Sequence, residues 1–264
     1  MFEHGGVKLV DEAFGPEAPQ HLVFLHGWGL NRDSLRGIGI LFQQAFRIHL
    51  IDLPGFGDAP APPSDWGTAE YAELVAWYLA ERVAGSVILV GHSFGGRVSV
   101  RLAARKLPQV KGVVLIGVPG LPSRGWTRQR VRREGVRLLR RLLNMARPGT
   151  GPGPLAWHTR RYGSKDYLAA GELRQVLVKT VTEDLTDSAR QSACPFLLIY
   201  GTDDPETPPW LGFRYRELMA GRATLDVLPH KDHHMYSGTG AHLCAFKIQQ
   251  WLRTLSPTVI DAGR

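Results

Sequence analysis

Val87-Ile-Leu-Val-Gly-His-Ser-Phe-Gly-Gly96 sets the architecture of this chain. The four apolar residues at its start read as a buried strand. Glycines at 91, 95 and 96 then allow a tight turn, and the helical pattern of residues 94–107 begins at once. A strand passing into a helix through so sharp a turn lifts the central residue of G-x-S-x-G above the sheet. The helix N-terminus places unpaired N–H groups and the positive end of its dipole beside that residue. Ser93 is therefore the candidate nucleophile. A chance glycine-rich turn would carry the same pentapeptide, but without the buried strand before it and the partners described below.

Outward from this turn, short apolar runs alternate with helical patterns. His21-Leu-Val-Phe-Leu-His26, Arg47-Ile-His-Leu-Ile51, Ser86-Val-Ile-Leu-Val90, Gly112-Val-Val-Leu-Ile116, Pro195-Phe-Leu-Leu-Ile-Tyr200 and Ala223-Thr-Leu-Asp-Val-Leu228 read as strands. Residues 68–83, 94–107, 208–220 and 239–255 read as helices, with Thr68 as the expected N-cap of the first. Strands this short and apolar suit a mostly parallel, doubly wound sheet covered on both faces, an α/β fold. The alternation stops after residue 118 and resumes near 191. Residues 121–190 are expected to form a helical cap inserted between two parts of one core, 1–120 and 191–264.

That insertion is also electrically distinct. Between Leu121 and Arg190 there are 15 Lys and Arg against 6 Asp and Glu, whereas the whole chain of 264 residues carries a net +8. The insertion is thus strongly cationic and the remainder close to neutral. Nine arginines fall within residues 124–147. At helical spacing Val131, Leu138, Leu142 and Met145 share one face, and Arg133, Arg137, Arg140 and Arg147 lie opposite. Such a helix is either a solvated face over a packed cap or an electrostatic attractant for an anionic substrate, carrier or surface. Nucleic acid is not expected, because no aromatic residues interleave with the arginines.

The length fits one domain with an insertion. No apolar run reaches the roughly 18 residues of a membrane-spanning helix, and residues 1–10 show no secretory pattern. Two cysteines, Cys194 and Cys244, form no disulfide framework, so a reducing, cytoplasmic location is expected. Cys194, beside an apolar run, is expected to be a buried free thiol.

Three segments together resemble the α/β-hydrolase family in order and spacing: His26-Gly-Trp-Gly29, Asp52-Leu-Pro-Gly-Phe-Gly57 and Gly91-His-Ser-Phe-Gly-Gly96. Residues 21–31 with 50–57 are similar to carrier-protein methyl ester esterases of the biotin pathway. Gly163-Ser-Lys-Asp-Tyr167 and Glu183-Asp-Leu185, in the insertion, look instead like bacterial hydrolases without an assigned substrate. The resemblance implies the α/β-hydrolase fold and a Ser, acid, His order along the chain. It implies an oxyanion hole from the backbone N–H groups of Phe94, after the nucleophile, and Trp28, after His-Gly. His26 reads as an organiser of that loop rather than as a base.

A serine hydroxyl needs an imidazole to take its proton and a carboxylate to orient that imidazole. In Gly201-Thr-Asp-Asp-Pro205 the family spacing selects Asp204, with Asp203 as runner-up; the earlier turn Val118-Pro-Gly120 offers no carboxylate. In Pro229-His-Lys-Asp-His-His234 the family spacing places the base at His233, with His234 and His230 as competitors. Asp232 stands where the family usually has Gly. No second cluster of Cys, His or acidic residues stands at metal-ligand spacing, so neither metal nor cofactor is expected.

The expected function is hydrolysis of a carboxylic ester through an acyl-serine intermediate, with a small-molecule ester, anionic or carrier-linked, as substrate. Rival readings are a carbon–carbon bond hydrolase of ring-fission diketones, an acyltransferase, and a low-turnover ligand-binding receptor on the same fold. Oligomeric state is not read from the sequence.

Overall fold

A computed structural model describes residues 1–122 and 170–255. The arginine-rich stretch of residues 124–147, and most of the expected cap, lie outside the described residues.

Eight strands form one sheet: β1 (Phe2–His4), β2 (Val7–Phe14), β3 (Gln20–Leu25), β4 (Arg47–Asp52), β5 (Ser86–His92), β6 (Val110–Ile116), β7 (Phe196–Gly201) and β8 (Ala223–Leu228). Their spatial order is β1-β2-β4-β3-β5-β6-β7-β8; only the pairings made by β2 are antiparallel. The six strands expected from sequence are all present. The hairpin β1–β2 was not expected, because its strands alternate only weakly. It does carry a local signal, Gly5-Gly6, where both residues have positive φ as a two-residue hairpin turn requires.

Period-two alternation explains the two-sided core. Val23 and Leu25 of β3, Leu89 of β5, Val113 and Leu115 of β6 and Leu198 of β7 face one layer of helices. That layer contains α2 (Thr68–Arg82) and α3 (Ser93–Ala104), which contribute Tyr71, Val75, Leu79, Val98 and Leu102. The intervening residues Leu22, Phe24, Ile88, Val90, Val114, Ile116, Leu197 and Ile199 face the other layer. There they meet Ile38 of α1 (Arg36–Ile40) and Ile248 and Trp251 of the C-terminal helix Thr239–Leu252. A strand buried on both faces has no polar alternation, which is why these runs are continuously apolar.

The start of α2 differs from the sequence expectation. Its N-cap is Gly67, not Thr68, and Glu70 then occupies the third helical position and accepts from the Gly67 N–H at 2.7 Å. Thr68 has a different partner: its N–H and hydroxyl both donate to Glu183. Within the region expected to be the cap, the described residues form a short 3-10 turn (Gly171–Leu173) and two helices, α4 (Arg174–Thr182) and α5 (Thr186–Gln191). Beyond β7 runs α6 (Trp210–Leu218); the C-terminal helix is α7. Cys244 is buried, as a residue on the sheet face of α7 should be, whereas Cys194 is only half-buried; both are free. Among the described residues no helix is long and apolar enough to cross a membrane.

Strand order reverses at β3: β4 lies on one side of it and β5 on the other. In open α/β sheets such a switch point opens a crevice beyond the carboxyl ends of the strands. Trp28 follows β3 and Ser93 follows β5, and these two strands pair with Leu25 opposite Gly91.

Candidate active site

Ser93 has φ +47, one of four non-glycine residues with positive φ among those described. A non-glycine residue held there is strained and persists only where its surroundings enforce it. The glycines around it are the enforcement. A Cβ on Gly91 would lie 2.6 Å from the Cα of Gly96, and one on Gly95 would fall on the carbonyl of Leu25. The Gly95 N–H donates to the His26 carbonyl at 2.9 Å, so α3 begins in direct contact with the end of β3. Ser93 is half-buried, and among the described residues its hydroxyl has no hydrogen-bond partner.

The loop after β3 is held by His26. Its Nδ1–H donates to the Gly27 carbonyl at 2.8 Å, and its Nε2 accepts from the Leu53 N–H at 3.1 Å. Both nitrogens are thereby occupied, and burial pushes the imidazole down to about 4. His26 is thus a neutral fastener between the loops after β3 and β4. Trp28 packs edge-on against Phe94, with ring centroids 5.4 Å apart, and against Phe56 at 4.9 Å. Trp28 is therefore in contact with Phe94, the residue that follows Ser93. Among the described residues neither of their N–H groups donates to a backbone carbonyl or a side chain. Backbone N–H groups left free in this way can meet charge developing on a carbonyl oxygen.

Asp204 and His233 are brought together. His233 Nδ1 donates to Asp204 Oδ2 at 2.8 Å, and both side chains are buried. The other carboxylate oxygen accepts from the N–H groups of Glu206 and Thr207, each at 2.8 Å, and the Thr207 hydroxyl donates to Oδ2. Burial pushes the Asp204 carboxyl up, but the donors His233 and Thr207 outweigh it and hold it at about 2. For His233, burial works against the charged ring. The hydrogen bond and charge of Asp204, with the charges of Glu206 and Asp232, outweigh it and raise the imidazole above its ordinary value. Such a pair can orient an imidazole and stabilise its cation.

The competitors stand elsewhere. Asp203 is exposed and paired with Thr202; His230 is almost wholly exposed, with its backbone at φ +54. His234 is exposed, its Nδ1 3.0 Å from the Tyr236 hydroxyl. Asp232 accepts from the His234 N–H at 2.9 Å. A side-chain cap on the turn thus stands where the family more often has glycine.

Four nearby residues were missed at the level of sequence. Thr207 closes the turn around the Asp204 carboxylate; its signal was the short Asp-Pro-Glu-Thr turn. Glu206 Oε2 lies 3.5 Å from His233 Nε2. His92 donates from Nε2 to the His233 carbonyl at 3.1 Å, tying the end of β5 to the loop after β8. Gly117, at φ +54 after β6, leaves room for the pair: a Cβ there would be 3.3 Å from His233 Nδ1 and 3.4 Å from Asp204 Oδ2. No local pattern marks the last three.

The chain is similar to known proteins in sequence and in fold. The chain is 28% identical over 227 residues to a pimeloyl-[acyl-carrier protein] methyl ester esterase of Nitrosomonas europaea, covering 80% of this chain and 88% of that protein. Its identity to the protein of the same name from Nitrosospira multiformis is 27% over 251 residues, 87% of this chain and 92% of that one. Among solved structures, an esterase from Exiguobacterium antarcticum superposes with a TM-score of 0.69 at 20% identity, covering 94% of this chain and 97% of that chain, a likeness of fold. The model of the alpha/beta hydrolase family matches residues 22–241, and with the strand order, the Ser93 turn and the Asp204–His233 pair already described, the chain belongs to that family.

Proposed function

We propose that this chain hydrolyses carboxylic esters through an acyl-serine intermediate. Ser93 attacks the ester carbonyl, and His233 takes its proton and returns it to the leaving alcohol. Asp204 orients His233 and stabilises its cation, and the N–H groups of Trp28 and Phe94 hold the oxyanion. Water then releases the acid by the same path in reverse. The observations that carry this reading are the buried Asp204–His233 hydrogen bond, the bond from His92 to the His233 carbonyl that ties this pair to the end of β5, and the serine held at φ +47 next in the chain. Nucleophile, base, acid and oxyanion donors all stand on loops at the carboxyl ends of parallel strands, where chemistry is expected in open α/β sheets.

The substrate class follows from the relatives. They are named for a methyl ester on an acyl-carrier protein, so we assign this chain a carrier-linked ester, with the cationic segment 121–190 as a helical cap over the site. The described part of that segment is helical, which supports the cap. The two unpaired thiols fit a reducing, cytoplasmic compartment.

Ser93→Ala should lose on the order of 10⁴ to 10⁶ in kcat toward a nitrophenyl ester while keeping its melting temperature. Retained turnover in Ser93→Ala would overturn the mechanism. Comparing kcat/KM for a methyl ester on a carrier protein with that for the same ester free in solution tests the substrate class; equal values would remove the carrier.

A further inference from the structure

The Asp204-Pro-Glu-Thr207 turn does more than wrap one carboxylate. The Glu206 N–H is pinned on Asp204 Oδ1 at 2.8 Å, which sends the Glu206 side chain past the imidazole to its far edge. There Oε2 stands 3.5 Å from His233 Nε2, while Asp204 Oδ2 holds Nδ1 at 2.8 Å. A single turn thus offers a carboxylate to each nitrogen of one ring. Nε2 is the nitrogen that must serve Ser93, because Nδ1 is already occupied, and the Ser93 hydroxyl has no hydrogen-bond partner of its own among the described residues.

We propose that Glu206 is a positioning residue for His233, a second carboxylate that holds the Nε2 edge of the ring in the resting site and gives it up to Ser93 when a substrate carbonyl is bound. This rests on His233 being the base. It goes further in assigning a role to a side chain outside the triad. The ring can accept the Ser93 proton only while Nε2 carries none, and the Glu206 carboxylate on that edge favours a proton there. Glu206 therefore adds to the effect of Asp204 in raising the pH below which the enzyme stops.

The other charged and titratable groups around the ring do not fill this position. Asp204 holds the opposite nitrogen. Asp232 and His234 flank the ring along the chain, with the Asp232 carboxylate turned to the His234 N–H. His92, at the end of β5, lies with its ring 4.8 Å away and is kept neutral by burial. The charge of Glu206 does favour the protonated ring, in the sense the geometry requires.

The test is the acidic limb of kcat/KM for p-nitrophenyl butyrate in the wild type, Glu206→Gln and Glu206→Asp. Removing the charge should move the limb to lower pH, so that on the limb Glu206→Gln keeps about threefold more of its own plateau rate than the wild type does. Glu206→Asp, which retains the charge, should move back toward the wild type. The His233 imidazole ¹⁵N titration should follow the limb, lower in Glu206→Gln and near the wild type in Glu206→Asp, independently of turnover. A limb and a titration that coincide in wild type and Glu206→Gln would overturn the proposal. Ser93→Ala, run in parallel, separates the two claims. An active Ser93→Ala sinks the serine mechanism, while the imidazole titration still decides whether Glu206 holds the ring.

Discussion

The choice among neighbouring residues in the two site loops turns on which side chains are buried. Asp203 and Asp204 are adjacent, as are His233 and His234, yet in each pair one side chain enters the core and the other faces solvent. A carboxylate out of water is costly unless it is hydrogen-bonded, and Asp204 has a full set of donors. Asp204→Asn and His233→Ala should each lose on the order of 10⁴ in kcat. Asp203→Asn, His230→Ala and His234→Ala should stay within a few-fold of wild type. Steady-state kinetics on one nitrophenyl ester ranks all five. A dead His234→Ala would move the base by one residue and leave the fold untouched.

Among the elements, β3, β5 and α3 cross with main chain against main chain. Gly95 meets the backbone of Leu25 and His26, so an added methyl group has nowhere to go without moving the main chain. Gly29, at φ +69 in the loop after β3, faces open space, and only its backbone conformation resists substitution. Gly95→Ala should therefore cost about 1–3 kcal/mol by overpacking, read as a melting temperature lower by roughly 4–10 °C. Gly29→Ala should cost about 1 kcal/mol, from the left-handed backbone alone. Calorimetry on the two variants checks the order. A Gly95→Ala protein as stable as Gly29→Ala would mean that α3 can back away from β3.

Across the whole molecule, buried histidines set the acid response. Burial pushes both His26 and His49 down to about 4, with the charges of His21 and Arg47 also acting on His49. Hydrogen bonds replace the water they lose: His49 Nδ1 lies 2.9 Å from the Tyr78 hydroxyl, and Nε2 lies 2.9 Å from His21 Nδ1. In the unfolded chain each would titrate near 6.5. Between about 6.5 and 4 the unfolded state therefore binds more protons than the native state, and stability falls as pH falls through that window. The slope is on the order of 1 kcal/mol per pH unit for each ring. His233 has the opposite sign. Its raised folded value adds stability that is fully present below about 6.5 and lost as pH rises through the folded value, so it acts above the window in which His26 and His49 act. Asp204, held at about 2, contributes stability that persists above about 4 and is lost as pH falls toward 2. Urea unfolding from pH 8 to pH 4 should show a steady decline below about 6.5, and a flat profile there would remove the neutral buried histidines.

Local chemistry in the sequence determined the fold and the strained turn that carries the proposed nucleophile. Apolar runs with no polar alternation fit only a sheet covered on both faces, and the glycines at 91, 95 and 96 permit the strained turn that carries Ser93. These are short-range steric and solvation demands, and a single chain displays them directly. Identifying Asp204 and His233 needed the family's spacing, because Asp203 and His234 satisfy the same composition one residue away. The tertiary structure decided the rest. It set which of each pair is buried, and it placed Thr207 and Gly117 around the Asp204–His233 contact and Glu206 on the far edge of the ring. It also gave Thr68, expected as the cap of α2, a carboxylate partner 115 residues away in Glu183. Apart from the local turn that brings Thr207 to Asp204, these depend on segments far apart in the chain meeting in the fold. A contact of that kind leaves no periodicity or spacing in the chain, because its energy comes from groups that become neighbours only after the strands have paired.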